Sequence, residues 1–136
     1  MTKDKVVSVA WFLLRVVAGL MFFQDGTMKT FGWFGGMPGG APGSTAPLLS
    51  QMGIGGLLET YGGLAIMLGA FTRPIAFILS GEMAVAYWQF HAPRGTWPIQ
   101  NHGDSSVLFC FIFLFMAAYG AGDWSVDGLL GRRRKV

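Results

Sequence analysis

The sequence predicts an all-α membrane protein, a bundle of four transmembrane helices with both termini on the cytoplasmic side. Three observations carry this. Of the 136 residues, 52% are hydrophobic and only 12% charged, and mean hydropathy is +0.48. Ordinary soluble domains carry about 25% charge. Four apolar stretches, at about 6–23, 52–71, 74–91 and 105–121, each approach the roughly 20 residues that a spanning helix needs. None alternates with the period of a strand, and a closed barrel needs more strands than this length supplies. At this length a single domain, 1–136, is expected.

Each stretch has its own justification. The first follows Lys3 and Lys5, as a secretory signal would. Arg15 interrupts it, however, and it runs on through Phe23 without a small-residue cleavage site, so it reads as a span. The second has a face of small residues, Gly55, Gly56, Gly62 and Gly63, around Glu59. Such a face lets a neighbouring backbone approach closely. The third follows the tight turn Thr72-Arg73-Pro74, with proline suited to a first helical turn. The fourth is rich in phenylalanine and holds Cys110. A single cysteine excludes an internal disulfide and any CxxC motif.

The connections differ in kind. The external loop at about 24–51 is long and full of glycine and proline. Loops of that length are either functional or disordered. Trp33 and Phe34 point to a segment on the membrane surface or folded back over the bundle; a flexible linker is the alternative. Basic residues set the orientation. Lys3, Lys5, Arg73, Arg132, Arg133, Arg134 and Lys135 fall on one side, and Lys29 and Arg94 on the other. The side rich in lysine and arginine is cytoplasmic. The basic tail is therefore a topology signal, and no nucleic-acid partner is expected; the lipid bilayer is.

Three charges fall inside the apolar stretches: Arg15, Glu59 and Glu82. Counted along each stretch, all three lie near the midplane. Intramembrane charges face the interior and pair, so the expected arrangement is one guanidinium between two carboxylates. The surplus negative charge would leave one glutamate protonated, because desolvation disfavours the charged form. That makes Glu59, Glu82 and Arg15 the catalytic candidates for proton-coupled chemistry on a quinone. The alternative is a polar clamp that serves packing alone.

A second polar set gathers at the outer face: Asp25, Lys29, His91, Gln100, Asn101, His102 and Asp104. The histidines lack the spacing of a metal motif, so no metal site is expected. A polar mouth above the bundle, or a helix N-cap by Asp104, fits better. The ligand-binding candidates are thus Arg15, Glu59, Glu82, Asp25, Lys29, Asn101, His102 and Asp104. No nucleophilic triad, phosphate loop or dinucleotide fingerprint is present.

From about Leu13 to Leu130 the chain resembles the DoxX family of small four-helix membrane proteins. The stretches LLRVVAGLMFFQDGTMKTFG, LLETYGGLAIMLGAFTR and NHGDSSVLFCFIFLFMAAYGAGDWSVDGLL carry the likeness. Within them lie Arg15 and Gly19, Glu59-Thr60-Tyr61-Gly62-Gly63, Asn101-His102-Gly103-Asp104 and Ser125-Val126-Asp127. Asp25 stands where histidine is common in the family, and Asp104 where glutamate is. The resemblance implies a link to quinone-dependent sulfur oxidation of the thiosulfate:quinone oxidoreductase type. The expectation is a small subunit of a larger membrane redox complex in a bacterial inner membrane. It would serve packing and assembly, line a quinone or lipid pocket, and carry no cofactor of its own. Its partners would be other membrane subunits or further copies of itself. A quinone-reactive oxidoreductase subunit and a chaperone-like structural protein are the alternatives.

Overall fold

Every regular element among the described residues, 1–134, of this computed structural model is helical. Lys135 of the basic tail lies outside the described residues. The chain divides into two compact units, residues 72–120 and the remainder.

The first unit is built on α1 (Lys3–Phe31) and α2 (Gln51–Leu68). Thr2 caps α1 by accepting from the Lys5 N–H at 3.4 Å, and Gly32 ends it in the left-handed conformation. At 1.5 Å per residue α1 is about 43 Å long. It is long and apolar enough to cross a membrane. The helix does not stop near Phe23 but continues to Phe31. No glycine-proline cluster intervenes before Gly32, and Lys29 in the last turn favours the helix C-terminus. Asp25 and Lys29, expected at the start of the external loop, therefore stand on α1.

The loop proper, 32–50, is ordered by its own backbone. Gly43 donates to the Gly35 carbonyl (3.1 Å), Met37 to Ser44 (3.0 Å), and Ala46 reaches back to the Lys29 carbonyl at 2.8 Å. The Trp33 ring packs on Phe23 and Phe31. The segment folds back on the end of α1 rather than acting as a flexible linker.

Ser50 caps α2 through the Gly53 N–H (3.1 Å), and Gly69 ends it. The two helices run antiparallel and meet through glycine. A Cβ at Gly19 would strike the backbone of Gly63 and Met67; at Gly26, that of Thr60; at Gly56, the Lys29 Cβ and the Thr30 hydroxyl. A further helix, α6 (Val126–Arg133), begins at Ser125, whose hydroxyl accepts from the Gly128 N–H at 3.0 Å.

The second unit contains α3 (Thr72–Ala86), α4 (Pro98–Asn101) and α5 (Asp104–Tyr119). Past Ala86, α3 widens into a five-residue turn, Tyr87–His91, and then tightens over Ala92–Arg94. α3 and α5 are antiparallel around Ala76, Leu79, Met83, Phe113 and Met116, all buried. Ser80 donates to the Cys110 carbonyl at 2.7 Å. Asp104 does not cap α5: Gly103 holds that position, and Asp104 sits in the first turn, where a carboxylate favours the helix N-terminus.

Candidate functional site

Glu59 is 3% exposed, on the face of α2 that meets α1. Its two carboxylate oxygens accept from the Lys29 ammonium at 2.8 Å each. The local sequence explains how two charges come together inside an apolar hairpin. On α1, Gly26 stands one turn before Lys29 and lets the α2 backbone close in at Glu59 and Thr60. On α2, Gly56 stands one turn before Glu59 and makes room for the Lys29 stem. In an antiparallel pair these two offsets place the ammonium directly beneath the carboxylate.

The hydroxyls nearby are committed elsewhere. Thr27 donates back to the carbonyls of Phe23 (2.8 Å) and Gln24 (3.1 Å), and Thr60 to Gly56 (2.7 Å). Asp25, one turn before Lys29 on the exposed side of α1, lies within reach of the Lys29 charge. The site thus offers an ammonium donor beside a carboxylate that can accept hydrogen bonds or a proton, in surroundings of low polarity.

Arg15 does not pair with Glu59 as expected. Its guanidinium, 1% exposed, donates to the carbonyls of Ile66 (3.2 Å), Met67 (3.3 Å) and Trp124 (2.6 Å). It lies over the Phe12 ring and against Gly69, with the charge of Asp127 acting on it. The physical reason is register. Counting residues along each helix gives a depth but not an opposite number, and the antiparallel pairing sets Arg15 against the C-terminal end of α2. Carbonyls there have no partner within the helix. A guanidinium, with five donors and a positive charge, suits them. Arg15 and Lys29 are separated by fourteen positions of α1, roughly 21 Å.

Asp127 completes this cap. Its carboxylate accepts from the Phe71 N–H at 2.9 Å, and its own N–H donates to the Gly69 carbonyl at 2.9 Å. Phe71 has a positive φ of 51°, an unfavourable conformation for a bulky residue, and this bond holds it there.

Glu82 is half-buried on α3 in the second unit. Asn101 in that unit is fully buried. Its amide donates to the Tyr87 hydroxyl (3.2 Å) and the Gly95 carbonyl (3.0 Å), and its side-chain oxygen accepts from the Gly103 N–H (2.9 Å). The His91 Nδ1 lies 3.1 Å from its backbone carbonyl. Asn101 thus ties the turns between α3 and α5 together. His102 is exposed with φ 59°, and Asp104 is exposed. Among the described residues no three His, Cys, Asp or Glu side chains gather as a metal could require.

Sequence reasoning named Lys29 and Glu59 without pairing them. The legible signal was a glycine three residues before each charge, at Gly26 and Gly56. Asp127 was noticed only as part of a motif, and α6 not at all.

Comparison with known proteins places the chain. The model of the DoxX family matches residues 10–92. The chain belongs to the DoxX family. This DoxX protein is 38% identical over 117 residues to an uncharacterized protein of Haemophilus influenzae, covering 84% of this chain and 85% of that one. It is 29% identical over 139 residues to the inner membrane protein YqjF of Escherichia coli, covering 95% and 98%. No solved structure matches at a significant level. The composition, the length of α1 and the family together make it a membrane protein. The matched region contains Arg15, Lys29, Glu59 and Glu82 and ends before Asn101 and Asp127.

Proposed function

We propose that this DoxX protein is a four-span subunit of a larger quinone-linked redox complex in a bacterial inner membrane, with both termini cytoplasmic. In this reading it packs against partner helices and lines a quinone or lipid pocket at the Lys29–Glu59 pair. The buried ion pair is the observation that carries the proposal. Charges within membrane helices are costly and mark functional sites. Replacing a buried pair with well-packed apolar side chains is often neutral or stabilising, so stability alone is a weak reason for having one.

Two further observations support the frame. α2 and α5 are shorter than α1, about 27 Å and 24 Å at 1.5 Å per residue, close to the roughly 30 Å of a hydrocarbon core. Lys29 and Arg94 alone stand against the seven basic residues Lys3, Lys5, Arg73, Arg132, Arg133, Arg134 and Lys135, the bias that sets both termini inside.

Native purification in a mild detergent, with mass spectrometry of what accompanies the chain, tests the proposal. Stoichiometric redox subunits or a bound quinone are expected. A stable monomer with neither would overturn it.

The Lys29–Glu59 geometry favours one second reading, a quinone-reactive oxidoreductase subunit. The ammonium would hold a carbonyl oxygen and Glu59 would carry the proton. Glu59→Gln would then abolish quinone turnover in a complex that still assembles. Unchanged turnover excludes Glu59 as the proton carrier.

A further inference from the structure

Helix α6 is fastened to its unit by one face only. Asp127 exchanges bonds with Phe71 and Gly69, and Gly128 lies against the carbonyls of Gly122 and Asp123. The other face carries Val126, Leu129 and Leu130, which are 37%, 58% and 51% exposed. At 3.6 residues per turn Arg133 falls at the end of this aliphatic stripe, with Arg132 and Arg134 on its two flanks. The contact between Arg132 and Asp123 is 3.8 Å long and exposed. It leaves the basic frame of the stripe largely unneutralised.

The surroundings of α6 are those of a membrane interface. Trp124, immediately before it, is 56% exposed and packs edge-on against Phe12 at 5.6 Å. Trp11 lies against Gly122. The Trp124 carbonyl and Gly69 both meet Arg15, so this aromatic group sits level with the end of α2. Tryptophan concentrates where hydrocarbon gives way to headgroups.

We propose that α6, with Trp124, is an interfacial helix that binds anionic phospholipid headgroups. The aliphatic stripe enters the boundary of the acyl chains, and Arg132, Arg133 and Arg134 engage lipid phosphates. Guanidinium groups pair with phosphate through two parallel hydrogen bonds. Long basic side chains flanking a narrow apolar stripe are what a helix lying in the membrane plane needs. Three aliphatic side chains offer a partner helix little to bury, whereas the single sign of the surrounding charge matches an anionic leaflet. The inference rests on the membrane reading of the α1/α2 hairpin.

Hydrogen exchange on the full chain tests it, in phosphatidylcholine vesicles with and without phosphatidylglycerol. Each basic side chain near an anionic surface favours contact roughly fivefold. Amides of 124–134 should therefore be at least about tenfold better protected with phosphatidylglycerol, and the gain should vanish in high salt. It should also vanish in R132Q/R133Q/R134Q, whose residues contribute nothing to the hairpin. Equal protection in the two lipids, or a gain that survives the triple substitution, overturns the proposal. An acidic protein partner would leave protection indifferent to lipid. The α1 amides serve as the internal reference. If they exchange freely in both vesicles, the membrane reading fails and the inference falls with it; if they are protected, the α6 result stands alone.

Discussion

The α1/α2 and α3/α5 hairpins are both antiparallel, yet they close by different chemistry. The first closes backbone to backbone over Gly19, Gly26, Gly56 and Gly63, and it encloses an ammonium, a carboxylate and a guanidinium. The second closes through Leu79, Phe113 and Met116, with the neutral Ser80–Cys110 contact as its polar link. Each presents an arginine to the C-terminal end of the opposite helix, but at different cost. Arg15 is buried under three carbonyls, whereas Arg73 reaches the Tyr119 carbonyl at 3.5 Å from an exposed position. Arginine is thus part of the packing in one hairpin and peripheral in the other. Substitutions should be felt accordingly.

The largest effect is expected at the ion pair. Lys29→Met leaves the Glu59 carboxylate buried without its ammonium and should cost about 3–5 kcal/mol in reversible unfolding from detergent micelles. Adding Glu59→Gln should recover much of that loss. If Lys29→Met alone were neutral, the pair would not be an element of packing.

Next is Gly26→Ala, whose Cβ would meet the Thr60 backbone, where no side chain can give way. A loss of about 3 kcal/mol is expected. Gly81→Ala on α3 has open space around it. It should be neutral or stabilising by up to about 1 kcal/mol. Similar losses at both sites would erase the contrast between the hairpins.

Arg15→Lys keeps the charge but cannot span three carbonyls. It should lower stability by about 1–3 kcal/mol in the same assay. Ser80→Ala should cost about 1 kcal/mol, the worth of one hydrogen bond.

The sequence made the helices legible because apolar runs and their breakers are local features. Pro74 marked the start of the third run, although the turn expected at Thr72-Arg73-Pro74 lies at 69–71 and those three residues form the first turn of α3. What it hid depends on pairing. The depth of Arg15 could be counted, but its neighbour depended on which residue of α2 lies opposite. That register is set by glycines whose close contacts are not visible in composition. Glu59 was recognised as a buried charge for the right reason and assigned the wrong cation, because Lys29 lies beyond the apolar run that seemed to end the span. α6 escaped notice because its start rests on the Ser125 cap and its docking on one carboxylate, Asp127, neither of which leaves a hydrophobic period. In the loop at 32–50 only Trp33 and Phe34 hinted at a folded-back segment and left a flexible linker open, because the rest of its order comes from main-chain bonds.

The most direct test of the central claim, that Glu59 answers to Lys29 and not to Arg15, is a pair of double-mutant cycles on unfolding free energy. One combines Lys29→Met with Glu59→Gln, the other Arg15→Lys with Glu59→Gln. The account predicts coupling of about 2 kcal/mol or more in the first and less than about 0.5 kcal/mol in the second. Strong coupling between Arg15 and Glu59, with none between Lys29 and Glu59, would contradict it.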